Sequence, residues 1–104
     1  MSLQQLTLNF NQCDGLTSVE SLGEGLKGLQ SLQQLTLHLK DCKGLTGLDG
    51  LGGGLGSLAQ LTQLTLDLSY CYGLTGGLDG LGGGLGSLAQ LTHFALSLDR
   101  KSVV

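Results

Sequence analysis

The chain repeats itself, and that constrains its fold more than any other feature. LQQLTLNFNQCDGLTSVESLGEGLKGLQS runs from 3 to 31, LQQLTLHLKDCKGLTGLDGLGGGLGSLAQ from 32 to 60, and LTQLTLDLSYCYGLTGGLDGLGGGLGSLAQ from 61 to 90. LTHFALSLDRKSVV, a half unit over 91–104, follows. The period is 29, 29 and then 30 residues, with the extra residue in the Gly76-Gly77 pair where the second unit has only Gly47. A period of this size makes each unit one supersecondary piece, which buries its apolar face only against the next unit. The expected organisation is therefore a single domain over 1–104, because 104 residues do not suffice for two.

Each unit changes periodicity midway. Leu35, Leu37 and Leu39 alternate with Thr36 and His38, which predicts a half-buried strand. Leu48, Leu51, Leu55 and Leu58 then recur at spacings of three and four, which predicts one face of a helix. Strands are expected near 5–10, 34–39, 63–68 and 93–98, with leucines inward and Phe10 and Phe94 as local replacements. Thr17 with Glu20, and Thr46 with Asp49, have capping-box spacing and mark helix starts. A strand and a return segment in under 30 residues stack strands in parallel. The expected fold class is α/β, a parallel β-sheet on one face and Gly-rich helical or turn segments on the other.

Leu32-Leu35-Leu37 and Leu61-Leu64-Leu66, spaced as LxxLxL, resemble the leucine-rich repeat family over essentially the whole chain. The stretch from LQQLTLNF to LQSLQQLTL is also similar to leucine-rich arrays of alveolate protists such as dinoflagellates. The resemblance implies a short solenoid whose outward strand face binds proteins. One position departs from it. Where many members carry Asn or Cys three residues after the last motif leucine, this chain has Asn11, Lys40 and Ser69, and its cysteine comes two residues later. A longer strand or a different turn is expected there.

Glycine occupies 19 positions and leucine 28 of the 104. Each interior helix glycine costs about 0.5–1 kcal/mol relative to alanine, so leucine burial has to hold segments such as GLDGLGGGLG. The bare faces are read as drift on a tolerant solvent side, with close approach of another backbone as the alternative. Gly23, Gly25 and Gly28 match GxGxxG, but no strand immediately precedes them and no βαβ crossover of nucleotide-binding length follows. Only Asp49 and Asp79 recur among the glycines, without the nine-residue period of calcium-binding repeats.

Composition excludes other classes. Apolar residues are 40% and charged residues 12%, which argues against charge-driven disorder. Glycine without a three-residue period, and without proline, is not collagen. No apolar run approaches the roughly 20 residues of a membrane span. The start MSLQQLTLNF lacks the pattern of a secretory leader. Net charge is −3, and the five cations (Lys27, Lys40, Lys43, Arg100, Lys101) form no stripe, so nucleic acid is not an expected partner. Three cysteines, Cys13, Cys42 and Cys71, repeat at 29-residue spacing, an odd count that points to a reducing, intracellular and cytoplasmic setting. They are expected to form a ladder of small buried groups at one corner. Without a fourth ligand or CxxC spacing, no metal or other cofactor is expected.

No constellation for catalysis stands out, and the expected protein is not an enzyme. His38 shares a column with Asn9, Asp67 and Ser97, and His93 shares one with Gln5, Gln34 and Gln63. His38 and Asp67 would sit on adjacent strands about 5 Å apart as a cross-strand pair. The candidate partner-binding residues are Asn9, Asn11, His38, Lys40, Asp67, Ser69, Ser97 and Asp99, with Thr7, Thr36 and Thr65 as a constant frame. Tyr70 and Tyr72 flank Cys71 as a further candidate, either a contact anchor or a cover for the cysteine corner. The expected partner is another protein or a second copy of the chain. No polar cap is visible at either end, so stacking into a homo-oligomer or larger assembly through the terminal strands is the second expectation.

Overall fold

The computed structural model describes residues 3–48, 50–74 and 79–98. The elements are β1 (Gln5–Asn9), α1 (Glu20–Leu26), β2 (Gln34–His38), α2 (Leu51–Gly56), β3 (Gln63–Asp67), α3 (Asp79–Gly86) and β4 (His93–Ser97). The four strands form one parallel sheet in the order β1-β2-β3-β4. Each strand pairs with its equivalent one unit on. Leu6 lies opposite Leu35, Leu35 opposite Leu64, and Leu64 opposite Phe94.

The junctions are built by repeated hydrogen bonds. The carbonyl of Gln33 accepts the N–H groups of Thr62 and Gln63 at 2.9 and 3.1 Å, and the Thr62 carbonyl accepts those of Thr92 and His93 at the same distances. The Thr62 hydroxyl also donates to the Gln33 carbonyl at 3.1 Å, and Thr92 does the same one unit later. A threonine at the start of a strand thus fastens its unit to the one before. β-Branching also keeps its χ1 in few rotamers on the pleated surface.

The strands end one residue earlier than the alternation predicts, although the inter-unit bonding continues. Phe10 and Leu39 still donate to the His38 and Asp67 carbonyls. Two residues later Gln12 donates to the Lys40 carbonyl at 2.8 Å and Asp41 to that of Ser69 at 2.7 Å. Gln12, Asp41 and Tyr70 sit in the left-handed region at φ 62°, 59° and 62°. The expected departure at this corner is therefore a different turn, one that takes a non-glycine left-handed residue per unit.

The core lies between sheet and helices. Leu35, Leu37, Leu39, Leu64, Leu66 and Leu68 from the strands are at most 1% exposed, as are Leu51, Leu55 and Leu58 from the return segments. Burying each such side chain contributes about 1.5–3 kcal/mol, which holds helices of six to eight residues that would not form alone. Phe10 is half-buried against this core. Phe94 is not an inward replacement in the same sense. It is 43% exposed, because β4 has no described strand beyond it.

Two local expectations change. The Thr17-Glu20 capping box does not form. Val19 is 1% exposed and occupies the N-cap, so the helix starts at Glu20, whose N–H donates to the Ser18 hydroxyl oxygen at 3.1 Å. Asp49, the partner expected for Thr46, lies outside the described residues, as does Gly76-Gly77. The glycine faces also divide. A Cβ at Gly53, Gly83 or Gly86 meets nothing within 4 Å, which fits the tolerant-face reading. One at Gly54 would run into the Gly23 carbonyl, and one at Gly84 into that of Gly52. At these positions glycine is what lets neighbouring helices touch backbone to backbone.

Candidate functional site

The outward strand face forms three rows. Gln5, Gln34, Gln63 and His93 make one, Thr7, Thr36, Thr65 and Ala95 the second, and Asn9, His38, Asp67 and Ser97 the third. Side chains in one row stand about 4.8 Å apart, because that is the strand separation. The middle row is uniform and short in β1 to β3, so the third row stands beside a level floor. Asn9 and Ser97 are exposed, whereas His38 and Asp67 are half-buried between neighbours.

His38 and Asp67 are in register, as their shared column requires, but they form no ion pair. The Asp67 carboxylate instead turns along the strand and accepts the Ser69 N–H at 3.0 Å. Asn9 does the same for the Asn11 N–H, also at 3.0 Å. A short acceptor two residues before the turn satisfies a backbone donor that the ladder leaves free.

Beyond the strand ends a second cluster gathers. The Asn11 side-chain oxygen accepts the Lys40 N–H at 2.9 Å, which fixes the Lys40 backbone against the first unit. The Lys40 ammonium lies 5.6 Å from the Tyr70 ring centroid, within cation–π range. The Tyr70 and Tyr72 rings are 6.2 Å apart and tilted by 59°. Tyr70 is half-buried, and Tyr72 is 51% exposed. Lys40, Tyr70 and Tyr72 therefore make one amphipathic patch at the ends of β2 and β3.

Ser69 does not belong to the outward face. It is 5% exposed, and its carbonyl accepts the Asp41 N–H. The strand alternation stops at Leu68, so counting by two past that point assigns the wrong side. Asp99, with Arg100 and Lys101, lies outside the described residues.

The cysteines take the corner expected of them. Cys42 donates its thiol proton to the Phe10 carbonyl at 3.0 Å, and Cys71 donates to that of Leu39 at 2.8 Å. Both are fully buried, and burial pushes both thiols above their ordinary pKa. Cys13, in the first unit, is half-buried. Among the described residues, no group of three or more His, Cys, Asp or Glu side chains is arranged to hold a metal ion. No described helix is long and apolar enough to cross a membrane.

Sequence reasoning passed over two features. One is an open groove of about 440 Å³ lined by Gln63, Leu64, Thr65, Thr92, His93, Phe94 and Ala95. Beside it the Thr92 hydroxyl and His93 Nδ1 are 3.0 Å apart. The other is the left-handed column of Gln12, Asp41 and Tyr70. Its signal is the fixed pair of polar or aromatic residues just before each cysteine. No family model matches this chain, and no curated protein and no solved structure match it either.

Proposed function

We propose that this chain is a short leucine-rich repeat solenoid that acts as a non-enzymatic protein-interaction module. Its binding surface is the third row, Asn9, His38, Asp67 and Ser97, extended by Asn11, Lys40, Tyr70 and Tyr72. The observation that carries the reading is the combination of a level threonine row with a neighbouring row that differs in every unit. Constant small residues keep the backbone geometry fixed while the adjoining side chains vary in charge and hydrogen-bonding type. Tyr72 adds an exposed aromatic against the Tyr70 ring, and tyrosine is enriched where interfaces gain most of their affinity.

A photo-crosslinking residue at Thr36, in the middle of the face, tests this. A second at Gly53, on the opposite side, is the control. In cell extract, partners are expected to crosslink from position 36 and to be lost from the Tyr72→Ala and His38→Ala variants. Equal recovery from position 53, or recovery indifferent to both substitutions, would remove the strand face as the binding surface.

A further inference from the structure

The leading face of the first unit carries glycines that meet nothing among the described residues. At the internal junctions two glycine columns are in close contact with the preceding unit. A Cβ at Gly44 would lie 2.5 Å from the Asp14 carbonyl oxygen, and one at Gly73 2.7 Å from that of Lys43. In the helices, a Cβ at Gly54 would lie 2.6 Å from the Gly23 Cα, and Gly84 meets Gly52 in the same way. The first unit has glycine at both equivalent positions, Gly15 and Gly25. No heavy atom lies within 4 Å of a Cβ built at either. Neither has a positive φ, so backbone conformation does not require glycine there.

The rest of that face matches a junction left open. Leu6, Leu8, Leu16 and Leu22 are half-buried, whereas their counterparts Leu35, Leu37, Leu45 and Leu51 are at most 1% exposed. Cys42 and Cys71 donate their thiols across a junction, while the Cys13 thiol has no described acceptor.

The shape that fits such a face is the far side of a similar unit, and the chain carries one. Residues 78–92 repeat residues 48–62 letter for letter, LDGLGGGLGSLAQLT. The surface that the second unit offers to the third is thus offered again by the third. Beside β3 that place is held by β4, which no described helix follows and whose Phe94 is 43% exposed. An incoming first unit would bring both a strand and a helix. It would also cover Leu85 of α3, which is half-buried, unlike its equivalent Leu55 at 0%.

We propose that the leading face of unit one, marked by Gly15 and Gly25, receives a second copy of this chain, β1 of one copy taking the place of β4 on β3 of the other. α1 then lies against α3, with Gly25 in the place that Gly54 takes against α1. This surface is separate from the strand face, and the proposal does not rest on it. The contact is heterologous and leaves the same two faces free at the ends, so it propagates.

Light scattering of the full chain over about a hundredfold concentration range tests it, since assembly is concentration-dependent. The wild-type mass is expected to grow with concentration. Gly25→Ala adds one methyl into open space in the single copy, but into a carbonyl at the junction. It should raise the onset concentration by about tenfold or more, with circular dichroism of the dilute protein unchanged. Gly53→Ala, the same change on the open column, should leave the onset where it is. Phe94→Asp loosens β4 and should lower the onset. Monomer mass throughout would overturn the proposal, and so would growth indifferent to Gly25→Ala. Loss of growth in a folded Phe94→Asp protein would also overturn it, by placing the second copy on β4. If Phe94→Asp does not fold, Gly25→Ala decides the matter alone.

Discussion

The Cys71 thiol donates to the main-chain carbonyl of Leu39, 2.8 Å away and 32 residues earlier, with both residues fully buried. The same bond joins Cys42 to Phe10. In each case the thiol links the turn of one unit to the strand end of the unit before. Cys71→Ala leaves the Leu39 carbonyl without this donor and opens a small void. The expected loss is about 1–3 kcal/mol in urea unfolding. A loss below that range would mean that the thiol serves only as apolar filling.

The raised thiol pKa values of Cys42 and Cys71 set a pH dependence. Unfolded thiols ionise near about 8.5, while the buried ones hold their protons to higher pH. Above the unfolded value the unfolded chain binds fewer protons than the native one, so stability falls as pH rises. The contribution is fully present below the unfolded pKa and is lost as pH climbs through the folded values. Urea midpoints measured from neutral to strongly alkaline pH should drop more in the wild type than in the Cys42→Ala/Cys71→Ala variant. Parallel curves would assign the drop to other groups.

The glycines of α2 separate into two kinds. Gly53→Ala adds a methyl in open space and should stabilise by about 0.5–1 kcal/mol through helix propensity. Gly54→Ala drives a methyl into the backbone of Gly23 and should destabilise by about 1–3 kcal/mol. Thermal midpoints of the two variants are expected to move in opposite directions. Movement in the same direction would contradict the close helix packing.

Gln12 sits at φ 62° with an exposed side chain. Left-handed backbone costs an ordinary residue roughly 1–2 kcal/mol, and asparagine tolerates it better. Gln12→Asn should therefore stabilise by about 0.5–1 kcal/mol, read from the urea midpoint. Gln12→Val, β-branched at the same angle, should destabilise. An unchanged midpoint for both would argue that the turn relaxes out of this conformation.

The strand positions and the pairing of His38 with Asp67 in register were legible because a fixed period carries register from one unit to the next. Once Leu35 aligns with Leu64, every neighbour follows. Ser69 was not legible, because its side is decided by a turn that breaks the two-residue alternation, and only the φ of Tyr70 shows where. The cap on α1 was misplaced because Val19 gains more by burial than Thr17 does by bonding to the backbone. Gly53 and Gly54 are indistinguishable in sequence. Their difference depends on the adjacent helix, which single-unit periodicity does not contain.

The sheet order is the chain order, so each strand answers only to its immediate neighbours. Order is then lost from the ends inward rather than everywhere at once. Amide exchange in the native protein should trace that gradient. The β4 amides, held from one side, would exchange first, and the Leu37 and Leu39 amides of the second unit last. A ligand gripping the second and third units together would slow exchange at both, turning three loosely coupled segments into one cooperative block.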